Sequence, residues 1–208
     1  MRRLLSVFLL IPFLNLAQEV QNVRVVRDDA QITELLEELG THELKLDIID
    51  LLAFPALDVT YEIISDPYSS YGINTYLNLS DMGTADGWID RFSLTPFYRF
   101  YFFNKTDFGG AGFFAELFGR LTFGKNEEIY YYEYNPDMSL MPSPNIEADN
   151  FTDFALGASI GKKWVNKKGW TFELMFGVGR FLFNNSSDSN GYRSDVAVRG
   201  GVALGKRF

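Results

Sequence analysis

A chain of 208 residues with a formal charge of −8 and no cysteine excludes several classes at once. Nucleic-acid binding needs clustered Lys and Arg, and 27 acidic against 19 basic residues point the other way. Without a thiol there is no disulfide scaffold, no thiolate metal site and no lipidated N-terminal cysteine. A mean hydropathy near zero argues against a bundle of membrane helices, each of which needs about 20 consecutive apolar residues.

In chain order, residues 1–17 read as a secretory signal peptide. Arg2 and Arg3 form a positive start, Leu4 to Leu16 an apolar run, and Ala17 the small residue before the cut. A membrane anchor is the competing reading, but the run is short and broken by Ser6, Pro12 and Asn15. Removing the segment leaves a chain from Gln18 with a charge of −8 − 2 = −10. Residues 18–41 are polar. Within them Asp28 and Asp29 precede Ile32, Leu35, Leu36 and Leu39, and Gly40 follows, which predicts a short amphipathic helix. Its expected place is the entrance of the domain that follows or the periplasm, with a plug or partner-binding helix as the alternative.

From residue 42 onward the apolar period is two. In 91–103, Phe92, Leu94, Pro96, Tyr98, Phe100 and Phe102 share one face, while Arg91, Ser93, Thr95, Phe97, Arg99 and Tyr101 share the other. Thirteen residues at about 3.3 Å each, tilted by about 40°, span roughly 33 Å, enough to cross an apolar band about 25 Å tall. The same alternation marks strands at 43–53, 57–65, 69–79, 112–124, 152–164, 169–182 and 196–208, eight in all. A soluble barrel would turn its apolar face inward. Here the polar face carries Gly, Ser, Thr and charges of both signs, and the apolar face is long and aromatic. Exposed to water, that face would far exceed the few hundred Å² usual for a monomer; against lipid it is what the solvent demands.

The expected fold is therefore all-β: an eight-stranded antiparallel up-and-down transmembrane β-barrel, residues 42–208, with a short N-terminal periplasmic helical segment. Short turns fall near 66–68, 104–111 and 165–168, and long connections at 80–90, 125–151 and 183–195. With both termini periplasmic the long ones lie outside, as in outer-membrane barrels; the tight connection at 54–56 is the exception. Pro96 suggests a local bulge, since it cannot donate to a ladder. Asp50 falls on the lipid face unless the first strand slips near residue 49. Arg180, Lys162 and Lys206 also face outward, near strand ends where long side chains can snorkel.

The closing Gly201-Val-Ala-Leu-Gly-Lys-Arg-Phe208, with Val202, Leu204 and Phe208 on one face, resembles the C-terminal signal of outer-membrane barrels. Together with Phe92 to Phe102, Gly112 to Glu116, Gly157 to Trp164 and Gly169-Trp170, it resembles a family of small, functionally uncharacterised outer-membrane barrels of Gram-negative bacteria, of the OmpA/OmpX-like eight-stranded type. The resemblance covers about residues 43–208. It implies the fold, an outer-membrane location and recognition of the last strand by the barrel assembly machinery, and it carries no catalytic residue.

Alternation sends Lys45, Asp58, Glu62, Arg91, Arg99, Glu116, Arg120, Glu173 and Arg199 into the lumen. An eight-stranded lumen is only wide enough for side chains to fill, so these charges are expected to pair and close it; an ion path is the alternative. The single histidine, His42, stands at the periplasmic start of the first strand, away from any outward-facing chemistry, so no enzymatic activity, metal or cofactor is expected. In the 125–151 loop, Tyr130 to Tyr134 read as an interfacial girdle or strand extension, or as a contact surface for an extracellular partner. Its carboxylates, Glu127, Glu128, Glu133, Asp137, Glu147 and Asp149, fit no calcium-loop spacing. The sequence thus points to a porin-like monomer in outer-membrane lipid with a structural or interaction role, and to a narrow pore for ions or very small solutes as the runner-up.

Overall fold

Alternation of small or charged residues with large apolar ones drives the chain into strands whose two faces see different surroundings. The computed structural model describes residues 36–53, 55–80, 88–102, 108–126, 132–134, 140–142, 150–184 and 195–208. The expected signal peptide and most of the segment at 18–41 lie outside the described residues. Eight strands close into one antiparallel barrel: β1 (His42–Asp47), β2 (Ala56–Asp66), β3 (Ser69–Asn78), β4 (Trp88–Phe102), β5 (Gly112–Asn126), β8 (Asn150–Val165), β9 (Trp170–Asn184) and β10 (Val196–Arg207). A separate two-stranded hairpin, β6 (Tyr132–Tyr134) with β7 (Leu140–Pro142), interrupts the sequence between β5 and β8. Each barrel strand otherwise pairs with its neighbour in sequence, and β1 with β10 closes the ring.

The faces separate as the alternation requires. Outside, Phe100, Leu117, Ile160, Trp170, Phe176 and Val198 are each at least half exposed. Inside, Glu62, Arg99, Glu116, Lys163 and Glu173 are buried together with Phe97, Phe114 and Phe118. Room for two of those rings comes from the neighbouring strand: a side chain at Gly157 would strike the Phe118 ring, and one at Gly161 the Phe114 ring.

Three sequence expectations change. The first strand does not run to 53; it ends at Asp47, and Ile48–Ala53 form a short helix, α1. Asp47 causes the switch by capping it: its Oδ1 accepts the backbone N–H of Ile49 at 2.8 Å and of Asp50 at 3.2 Å. The first connection is therefore 48–55, not a tight 54–56, and Asp50 faces an internal cavity rather than lipid. Second, Pro96 makes no bulge. It pairs in register with Ile73, and the β4–β5 register continues unchanged from Leu94↔Leu121 to Phe97↔Phe118. The shift instead falls between Asp90 and Phe92. Third, Arg91 sits at that bulge, half-buried and donating to the Ser80 carbonyl oxygen at 3.4 Å, and Asp90 rather than Arg91 lines the cavity.

The end of the barrel nearest the termini is sealed by tight local geometry. Asn166 Oδ1 accepts from the N–H of Lys168 and Trp170 at 2.9 and 3.0 Å, closing the β8–β9 turn, and Asp66 Oδ1 accepts from Tyr68 at 2.7 Å in the β2–β3 turn. Residues 36–39 form one helical turn, the end of the predicted helix, with Leu36 buried near Gly109 and Pro67. Gly40 then reverses the chain at φ 90°, so close to Phe208 that a Cβ there would overlap its backbone. Only glycine fits both demands. Gly40→Ala is expected to lower stability by at least about 1 kcal/mol, measured as a lower urea midpoint with an unchanged slope; an unchanged midpoint would show that the turn is not held in this conformation.

Candidate functional site

The lower half of the lumen, toward the termini, is one connected ion-pair network. Neighbouring inward positions on a closed sheet bring charges from β1, β2, β4, β5, β8, β9 and β10 to a common axis. Glu62 is its hub, accepting from Lys45 Nζ at 2.5 Å, Lys163 Nζ at 2.8 Å, Arg99 Nη1 at 3.0 Å, Ser70 Oγ at 2.5 Å and the Tyr101 hydroxyl at 2.6 Å. Arg99 links Glu62 to Glu116, through Nε at 2.7 Å, and to Glu173, through Nη1 and Nη2 at 2.8 and 2.9 Å. Its guanidinium lies over the rings of Phe97 and Phe114, 4.5 and 4.4 Å from their centres. Lys45 also reaches Glu173 at 2.7 Å, and Arg199 Nε reaches Glu116 at 2.9 Å.

Toward the sealed end the network runs through Lys163 to Glu43 at 2.8 Å and from Glu43 to Arg207. Arg207 then donates to the carbonyl oxygens of Gly109 and Gly110 at 2.8 and 3.2 Å. Six of the nine candidate lumen residues meet in this network: Lys45, Glu62, Arg99, Glu116, Glu173 and Arg199. Glu43, Lys163 and Arg207 complete it and stand outside the candidate set, although the alternation places all three on the polar face; their strand-end positions disguised them.

Above the network lies a cavity of about 210 Å³. Asp58 and Arg120, the next two candidates, line it, with Asp47, Asp50, Asp90, Asn74 and Tyr76. Asp58 accepts a hydrogen bond from the Asn74 amide, and Asp50 lines the same cavity. Arg120 donates from Nη1 to the Val198 carbonyl oxygen at 3.1 Å, and its buried Nε has no partner among the described residues. Arg91, the ninth candidate, sits at the bulge and does not line the cavity. Asp50 and Asp90 escape an alternation reading because one sits on a helix and the other at a bulge.

His42 faces outward. Its ring stacks between Tyr61 and Phe208 at 5.8 and 6.2 Å, with Nδ1 2.7 Å from the Tyr61 hydroxyl, so it forms part of an aromatic rim. Phe208 itself is well exposed, whereas Val202 and Leu204 are half-buried along β10. Lys162 and Lys206 lay their ammonium groups over Trp164 and Trp170 at 4.9 and 5.7 Å at the same end. Of the 125–151 loop, the backbone of β6 and β7 is described; Tyr130, Glu127, Glu128, Asp137, Glu147 and Asp149 lie outside the described residues.

Comparison with family models, curated proteins and solved structures gives no significant match. The network and the cavity therefore carry whatever can be said of function. Removing one partner of a buried pair costs about 3–5 kcal/mol, because the other charge stays behind. Arg99→Met removes one cation from Glu62, Glu116 and Glu173, which keep only Lys45, Lys163 and Arg199 between them, and is expected to cost about that much, read as loss of the folded band or a much lower urea midpoint. Arg180→Met, on the exposed face, should leave the midpoint within about 0.5 kcal/mol of the parent.

Proposed function

We propose that the protein is a monomeric outer-membrane barrel that holds its place in the envelope and offers its far-end loops to a partner, with a lumen closed to conduction and no catalysis. The observation that carries this reading is the inside-out distribution: charges buried within the wall, and Phe100, Leu117, Ile160, Trp170, Phe176 and Val198 exposed outside it. Hydrocarbon as the outer solvent removes the penalty on that face, and the β1–β10 pairing closes the ring, leaving unpaired strand edge only beside α1. The aromatic and lysine cluster around Trp164, Trp170 and Lys162 suits the boundary between headgroups and acyl chains.

Absence of conduction follows from the same network. An ion crossing the lower half would have to displace Arg99 from three carboxylates, all buried. In this reading both termini lie in the periplasm, with the long connections and the cavity on the outer side, and Val202, Leu204 and Phe208 form the strand read by the assembly machinery.

Electrophoresis of washed membranes with and without boiling tests the address: a folded barrel should migrate as a compact band unheated and shift on heating. Planar bilayers test closure, with no steady single-channel openings expected. Protein recovered only from the soluble fraction would sink the membrane reading, and stable openings abolished by blocking the lumen would replace closure with a narrow pore.

A further inference from the structure

The barrel wall is incomplete on one side. Below Asp47, β1 pairs with β10 from Glu43↔Arg207 to Asp47↔Ala203, and with β2 from His42↔Ile63 to Leu46↔Val59. Beyond that level, among the described residues, no strand lies between Ala56–Asp58 of β2 and Val196–Val202 of β10; α1 lies there instead, touching both. A helix cannot hydrogen-bond a strand edge. Two side chains occupy part of the gap: the Asp47 carboxylate lies against Gly201, and Arg120 donates to the Val198 carbonyl oxygen at 3.1 Å. At the same place β10 carries Gly200 and Gly201, and the Asp47 carboxylate packs directly against Gly201, where a side chain would otherwise stand. α1 buries none of its own side chains, and Leu52 is 79% exposed. It is held by the Asp47 cap.

Behind this seam stands the polar cavity, and in front of it the apolar outer face. The charges inside are of two kinds. Asp47, Asp50, Asp58 and Asp90 line it, while Arg120 faces them without an ion pair among the described residues and with its Nε unpartnered. The other charged lining groups are already engaged, Glu173 and Arg199 in the network and Asp90 with a partner of its own. A purely anionic guest would meet Asp50 and Asp58, and a purely cationic one would leave the Arg120 Nε unanswered. A guest with both an ammonium and a phosphate satisfies both sides.

Resting on the membrane reading above, we infer that the β2–β10 seam is a lateral portal through which a lipid headgroup bearing a primary ammonium and a phosphate enters the cavity, its acyl chains staying against α1 and the outer face. About 210 Å³ takes such a headgroup and not its chains. Arg120 receives the phosphate, and Asp58 with Asp50 receives the ammonium.

The test uses the full-length barrel in vesicles, first shown to be folded by its heat shift. Phosphatidylethanolamine with a photoreactive group near the top of one acyl chain is added and cross-linked, and the adducts are mapped by peptide mass spectrometry. Adducts at residues 48–53 and 196–202 should exceed the average over the outer face at least tenfold. Phosphatidylglycerol carrying the same group, which lacks the ammonium, should show no such excess. Arg120→Gln and Asp58→Asn should each erase the excess while keeping the heat shift; should one variant not fold, the headgroup comparison on the parent chain decides alone. Adducts scattered evenly around a folded, inserted barrel would overturn the portal and leave the membrane reading intact. Free phosphoethanolamine protecting the cavity while the lipid gives no excess would show loading from the aqueous end, and would also overturn it. A chain that neither inserts nor shifts overturns both.

Discussion

Arg99 placed among Glu62, Glu116 and Glu173 is the constraint on which the rest of the barrel depends. A guanidinium buried this completely is tolerable only when its donors meet acceptors, and three carboxylates are tolerable only when cations are shared among them. Sharing is what closure of the sheet allows. Strands β2, β4, β5 and β9 hold these four residues at similar heights, and a slip of one residue in any strand would send its charge to the outer face. The network therefore specifies register as well as filling space. Apolar residues could fill the same volume at equal or lower energy. In a chain whose outer face is also apolar, however, they would erase the difference between inside and outside from which register is read.

The same logic explains why the wall can fail on one side without the barrel falling apart. Ring closure is secured where β1 pairs with both neighbours, at the level of Glu43 and Lys45, and both of those residues belong to the network. Above Asp47 no buried ion pair draws a strand inward, and the chain takes a local alternative: an aspartate cap followed by Ile-Ile-Asp-Leu-Leu-Ala, a better helix than strand by propensity. The cavity is thus the volume left where the network stops.

Most of this architecture is legible in the alternation alone. Strand number, the polarity of the faces and six of the central ion-pair residues follow from period-two reading, because a closed sheet converts parity directly into direction. What parity misses are the places where the backbone leaves it. Asp50 reads as lipid-facing because a helix of six residues is too short to show a period, although Asp47 followed by Asp50 three residues later was a visible capping pattern. Asp90 rather than Arg91 lines the cavity because of a bulge that no residue type announces, and Pro96, the one residue that invites a bulge, is accommodated in register beside Gly119. Glu43, Lys163 and Arg207 obey parity and stand outside the candidate set only because strand ends are where charges ordinarily reach solvent. Here the turn of residues 36–39 and the carbonyls of Gly109 and Gly110 cover that end.

Stability and recognition are consequently separated along the barrel axis. Charges below mid-height are saturated with partners, so a ligand there could gain contacts only by breaking pairs worth several kcal/mol. Charges above mid-height are arranged differently: among the described residues Arg120 makes no ion pair and its Nε has no partner, and α1 beside it is fastened by the Asp47 cap with no buried apolar anchor. A region that already encloses space and keeps unmet hydrogen-bonding capacity can accept a guest without first dismantling the fold. The filled half provides the rigid floor against which such a site can hold its geometry.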